Sequence, residues 1–244
     1  RAPASFEKSS TKELTKDLAK ELKELVTMMY ANKKRSLLVV LQGMDSSGKD
    51  GVSKAVFSRV SPTMVDAYSF RKPSEEEFAH DFLWRVHKQA PRKGQVKIFV
   101  RSHYEDILIQ RVHNWIDSDK VDARIRAINA FERLLVEDND TIVMKFYLHL
   151  SRERQKEKLL ERIERKDKNY KHNDNDWRER KHWEAYMDAY QDAINRSEIP
   201  WMIVPADQRW YRNYFVAKAV VDRLKELNMS YPELEETPNI DLNG

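Results

Sequence analysis

Directly after the apolar run Leu37–Leu41 the chain reads Gly43-Met-Asp-Ser-Ser-Gly48-Lys49-Asp-Gly51, and these nine residues hold three of its five glycines. An apolar strand that empties into a glycine loop and then into the helical pattern of Val52–Val60 constrains the fold more than any other feature. Glycines let the backbone wrap closely around an anion, and successive N–H groups and the helix N-terminus then point at it. Lys49 adds a point charge for a phosphate oxygen. Gly43, Met44, Ser46, Ser47, Gly48, Lys49, Asp50 and Gly51 are therefore the candidate phosphate-binding positions.

Asp50 stands where a serine or threonine normally gives its hydroxyl to magnesium. The metal ligand must then come from elsewhere, and Asp45, a hard oxygen donor inside the loop, is the best placed carboxylate. Asp50 itself reads either as an acid capping the first turn of the helix or as a metal ligand.

Five runs read as strands: Leu37–Gln42, Met64–Phe70, Val96–Val100, Thr141–Leu150 and Trp201–Val204. Long helical patterns separate them, which predicts a parallel sheet covered on both faces, with the first strand central. Ahead of them, residues 11–32 place Leu14, Leu18, Leu22, Leu25, Val26 and Met29 at helical steps, with a charged face expected to be solvated. The acidic, proline-containing stretch 231–244 reads as a surface extension.

The 244 residues suit one domain, no apolar run reaches membrane-spanning length, and cysteine is absent, which excludes disulfides and cysteine zinc sites. A cytoplasmic protein is the expectation. Net charge is +4, and the segment 152–182 alone carries twelve Lys or Arg against eight Asp or Glu. The surplus is concentrated in one place, not spread as on a nucleic-acid-binding surface.

Two further constellations carry chemistry. Val96–Val100 runs into Arg101, Ser102, His103, Tyr104, Glu105 and Asp106, at the carboxyl end of a strand, where ligands sit in open parallel sheets. Arg101 suits charge stabilisation on a transferring phosphoryl group, Glu105 and Asp106 suit metal or base-like positions, and His103 reads as a packed histidine. The stretch 161–190 joins clustered cations, Arg162, Arg165, Lys168 and Lys171, to a polar turn and a second helix bearing Trp183, Tyr186 and Tyr190. Its cations read as a lid over an anionic site and its aromatics as core contacts.

Five ordered blocks resemble the polyphosphate kinase 2 family: GMDSSGKDG at 43–51, SFRKPSEEEFAHDFLWRVH at 69–87, RSHYEDILIQRVH at 101–113, the lid at 161–190 and IPWMIVPADQRWYRNYFVAKAV at 199–220. The RSHYED form is similar to the subgroup acting on both nucleoside mono- and diphosphates, unlike the RSWYNR form of diphosphate-specific members. The resemblance implies a three-layer α/β/α P-loop kinase fold with a central parallel sheet of about five strands. It implies a single domain over 1–244, with an N-terminal helix (11–32), a helical lid (152–190) and a C-terminal extension (231–244). It also implies magnesium dependence, with manganese as a substitute, and a homo-dimer or homo-tetramer. The implied partners are inorganic polyphosphate and nucleoside mono- and diphosphates (AMP/ADP, GMP/GDP), without nucleic acid or membrane, in a reversible transfer.

By position, Asp45 and Lys49 match the family's essential acid and lysine, Arg101 the arginine after the third strand, and Arg71 a basic residue of the second block. Glu105 and Asp106 match acids near the acceptor, and Arg162, Lys168 and Lys171 match lid cations. Tyr104 and Glu105 are further candidates for nucleotide binding, Arg165 is a further lid candidate, and Asp45 and Asp106 are the metal candidates. One departure stands out: Val100 occupies a position where relatives carry asparagine or aspartate. The rival readings are an ATP-dependent nucleotide kinase of the same fold and a non-catalytic nucleic-acid binder, for which the glycine loop has no use.

Overall fold

A computed structural model describes residues 2–234. In chain order it comprises α1 (Lys8–Asn32), β1 (Ser36–Gln42), α2 (Lys49–Phe57), β2 (Val65–Ser69), the short α3 (Glu75–Ala79) and α4 (Trp84–His87), and β3 (Val96–Val100). Then follow α5 (Glu105–Val112), α6 (Ser118–Asn139), β4 (Thr141–His149), α7 (Arg152–Glu164), α8 (Asp174–Glu179), α9 (Trp183–Asn195), β5 (Trp201–Pro205) and α10 (Arg209–Lys225). Of the expected C-terminal extension, residues 235–244 lie outside the described residues.

The five strands pair in parallel in the order β2-β3-β1-β4-β5. All five coincide with the runs read from sequence to within one residue at either end. β1 is buried along its whole length, because both of its faces meet apolar layers. Leu37, Val39 and Leu41 pack with Leu22, Val26 and Met29 of α1, Val52 of α2, and Val216 and Val220 of α10. Leu38 and Val40 face the other way, against Val86, Phe99 and Phe131. Further along that face, Ile107, Ile125, Tyr147 and Tyr190 close the third layer. This is the α/β/α P-loop kinase arrangement, with its glycine loop at the carboxyl edge of the central strand.

Two details differ from expectation. α1 begins three residues earlier than the apolar periodicity indicates, and Leu14 is half exposed because the buried stripe of apolar residues starts only at Ala19. Val100, the departure from the family pattern, is 6% exposed and belongs to the apolar layer beneath α1, α2 and α10. No helix of the described residues is long and apolar enough to cross a membrane.

Candidate active site: a phosphate loop and two clefts

Lys49 is the first residue of α2 and folds back into the loop, where its Nζ donates to the Gly43 carbonyl (2.5 Å) and the Met44 carbonyl (3.3 Å). Burial, with Arg101 second, lowers its pKa against the opposing pull of Asp45 and Glu105. The tight wrap needs glycine at position 43, where a Cβ would stand 2.7 Å from the Leu148 carbonyl oxygen. Ser46 and Arg101 take left-handed φ values of 68° and 62°, uncommon for residues with a Cβ and typical of functional turns. Asp50 is exposed in the first turn of α2, the location expected of a capping acid.

Charge alternates across the loop. Arg101 Nη2 donates to Asp45 Oδ1 at 2.8 Å. Burial works to raise the Asp45 carboxyl, but Lys49, Arg101 and Arg162 outweigh it and hold it below the usual range. Arg162, from α7, donates through Nη2 to Ser46 Oγ (2.8 Å) and pairs through Nη1 with Asp176 Oδ2 (2.5 Å). Glu105 is raised by burial despite Arg101 and Lys49. Asp106 is likewise raised by burial, against Arg85 and Arg124. Its Oδ1 accepts from Gln110 (2.6 Å), whereas its buried Oδ2 has no hydrogen-bond partner and lies 3.6 Å from Arg85 Nη2.

On one side the loop opens into a cleft of about 840 Å³. Gly43, Met44 and Asp45 form its floor, Arg71 and Phe78 one wall, Arg101, Glu105 and Asp106 another, and Trp115, Asp176, Tyr186 and Tyr190 the lid side. That size suits a nucleotide-sized ligand. Trp183, Tyr186 and Tyr190 are buried core aromatics, as their spacing indicates, although the two tyrosines also face the cleft.

Tyr104 does not face the cleft. It is 2% exposed, and its hydroxyl meets Glu132 Oε1 (3.0 Å), Ser197 Oγ (3.0 Å) and Lys145 Nζ (2.7 Å). Lys145 and Glu132 are an ion pair wholly out of solvent at 2.6 Å, and Glu132 also meets His103 Nε2 (3.3 Å). His103 and Tyr104 thus pin the backbone that carries Arg101, Glu105 and Asp106. A buried carboxylate in α6, remote in sequence, is what makes this arrangement possible.

On the other side of α2 lies a larger groove of about 1010 Å³. Lys8, Lys12 and Lys16 line it from one face of α1, Arg59 from the turn after α2, Arg154 and Lys158 from α7, and Arg209 from α10, against the acids Glu153, Glu157 and Asp207. The face of α1 expected to be merely solvated therefore forms a wall of cations. Its four-residue lysine spacing was the available signal.

Only one of the four sequence-assigned lid cations, Arg162, reaches the loop. Arg165 pairs with Asp167, Lys168 pairs with Glu161, Lys171 lies over the Tyr170 ring, and none of these three lines either cleft. The lid closes through other groups: Gln155 Nε2 donates to the Asp45 carbonyl (3.1 Å), and Arg180 donates to the Gln155 side chain (2.9 Å). Ser151 caps α7, and its N–H donates to Asp207 Oδ1 at 2.8 Å, which ties the lid to the end of β5.

Among the described residues no three His, Asp or Glu side chains converge to hold a metal alone. Magnesium shared with phosphate needs only one or two carboxylates. The Asp45 carboxylate on the cleft floor and the Asp106 Oδ2 on its wall, which has no hydrogen bond and only the 3.6 Å ion pair to Arg85, fit that requirement.

Residues 5–232 match the model of the family described as Polyphosphate kinase 2 (PPK2). The chain is 42% identical over 221 residues to the AMP/ADP-polyphosphate phosphotransferase of Meiothermus ruber, covering 89% of this chain and 82% of that protein. It is 36% identical over 236 residues to the ADP-polyphosphate phosphotransferase of Rhodopseudomonas palustris, covering 91% and 81%. The crystal structure of Polyphosphate Kinase 2 from Arthrobacter aurescens TC1 superposes with a TM-score of 0.92 at 35% identity, over 98% of this chain and 92% of that one. On the family match over residues 5–232, the 42% identity to a curated member and the superposition on a solved one, the chain belongs to the polyphosphate kinase 2 family.

Proposed function

We propose that the protein transfers the terminal phosphoryl group of inorganic polyphosphate to nucleoside mono- and diphosphates, AMP and ADP first and GMP and GDP as further acceptors, reversibly and with magnesium. The observation that carries this reading is a phosphate loop that floors a nucleotide-sized cleft, with a cation-lined groove formed farther along α2. The groove suits a polymer of phosphates, and the cleft suits a base and sugar. The names of the two relatives above support polyphosphate with AMP and ADP.

A nucleotide phosphate oxygen attacks the terminal phosphorus of the chain. A P–O bond forms to the nucleotide, the P–O bond to the rest of the polymer breaks, and the leaving oxygen keeps its electron pair on the shortened chain. The attacking oxygen is already ionised, so no strong general base is needed. Lys49, Arg101 and Arg162 balance the charge of the transferring group, and Arg71 holds the acceptor from the cleft wall. Asp45 and Asp106 would hold magnesium, which supplies charge neutralisation across neighbouring phosphates.

The test is to incubate the protein with magnesium, polyphosphate and AMP, ADP, GMP or GDP separately and to identify each product. ADP and ATP from the adenine acceptors are expected. Transfer from ATP with none from polyphosphate would replace this reading with that of an ordinary nucleotide kinase.

A further inference from the structure

One buried cation beside the loop has no part in the transfer described so far. Arg212, on the first turn of α10, is 5% exposed. Its Nη1 donates to the Ser47 carbonyl at 2.7 Å, and Nε and Nη2 donate to Asn213 Oδ1 at 3.3 and 3.1 Å. Among the described residues no carboxylate pairs with it. The charged neighbour that acts on it is another cation, Arg209, and burial first with Arg209 second bring its pKa down to about 10, so it stays protonated at neutral pH. A guanidinium withdrawn from water without a counter-charge is costly, and such a group persists where something else balances it.

The loop is shaped around this side chain. A Cβ at Gly48 would stand 2.0 Å from Arg212 Nη1, and one at Gly51 would stand 3.2 Å from Nη2. Gly51 lies inside α2 and needs no special backbone conformation, and a side chain there would press on the guanidinium. Arg209 and Asn213, on either side of Arg212 in α10, both line the cationic groove.

We propose that Arg212 is a positioning residue of the phosphate loop whose counter-charge is the condensed-phosphate donor: it holds the Ser47 carbonyl from behind, keeps the loop N–H groups turned toward the anion, and has its own charge balanced when that anion binds. This rests on the donor occupying the loop, as proposed above. Removing the charge therefore weakens the donor and spares the nucleotide. It does not weaken the ligand-free fold, because an unbalanced buried cation contributes nothing favourable there.

The experiment measures tripolyphosphate and AMP binding by calorimetry at fixed magnesium, with thermal melting in parallel, on the full chain and on Arg212→Gln, Arg212→Lys and Gly51→Ala. Arg212→Gln, which keeps a donor for the Ser47 carbonyl and loses the charge, is expected to weaken tripolyphosphate about 30-fold. AMP affinity should stay within about threefold, the ligand-free melting temperature should be equal or higher, and Arg212→Lys should recover most of the loss. Equal tripolyphosphate affinity in Arg212→Gln overturns the proposal, as does a parallel loss of both ligands with a lower melting temperature. Should the glutamine variant not fold, Gly51→Ala decides: displacing the guanidinium should weaken tripolyphosphate roughly three- to tenfold, and wild-type affinity there overturns the proposal. A wild-type protein that binds no tripolyphosphate at all would instead strike the functional reading on which this one rests.

Discussion

The two clefts beside α2, the one floored by the loop and the one lined by α1, are built from opposite materials. The one in front of Asp45 combines aromatic and apolar walls, Phe78, Trp115 and Tyr186, with acids and a few placed arginines. The one behind α2 is framed by lysines and arginines from three helices, α1, α7 and α10, and by Arg59 just after α2. A nucleotide carries a flat apolar base and one charged end, so shape and a few directed contacts suffice. A phosphate polymer has no shape to read and repeats its charge, so it is met by repeated cations, such as Lys8, Lys12 and Lys16 about 6 Å apart along one helix face. Under the proposed function, that difference gives the acceptor to the cleft and the donor to the groove.

The sharpest break of this division comes from the groups both ligands share. Lys49→Ala should lower turnover by roughly 10²- to 10³-fold for every acceptor and every polyphosphate length, with the fold retained in circular dichroism. A variant near wild-type rate would mean that the loop is not the point where the two sides meet. Asp45→Asn should cost about 10²-fold and raise the magnesium concentration needed for half-maximal rate. An unchanged magnesium titration would move the metal elsewhere.

Smaller changes test each side alone. Lys8→Glu combined with Lys12→Glu should raise the KM for polyphosphate about tenfold, near 1.4 kcal/mol, and leave the KM for AMP within about twofold. Lys168→Glu with Lys171→Glu, on the lid surface outside both clefts, should change either KM by less than about threefold. The reverse ranking would return the donor to the lid. The smallest kinetic effect is expected at Val100, which lies in the apolar layer and faces neither cleft. Val100→Asn should change the rate by only a few-fold while costing about 1–3 kcal/mol of stability for a buried amide without a partner, read from denaturant midpoints. A gain above about 10²-fold would show that a polar group at this position is part of the metal site.

Much of this was legible in the sequence where local pattern and local chemistry coincide. The strands were readable because a doubly covered parallel sheet demands continuous apolar runs, and the loop because so few glycines are spent in one place. What stayed hidden depends on contacts between distant segments. Asp176 meets Arg162 only because α8 folds back over α7, and Glu132 meets Tyr104 across the width of the third layer. Charge clustering along the chain pointed to Arg165, Lys168 and Lys171, but neighbouring acids, Asp167 and Glu161, take up the first two. The lysines of α1 looked like an ordinary solvated face because the elements opposite them, α7 and α10, come more than a hundred residues later.

The division of donor and acceptor is tested most directly by amide hydrogen exchange on the full chain with magnesium and either tripolyphosphate or AMP alone. Tripolyphosphate should slow exchange in the loop at 43–49 and in the groove segments, α1 around residues 8–19 and 207–213. AMP should slow it at 43–45, 71–78, 101–113 and 173–190, the segments that build the cleft. Protection of α1 by AMP, or protection of 71–78 by tripolyphosphate with none in α1, would contradict the assignment of the acceptor to the cleft and the donor to the groove.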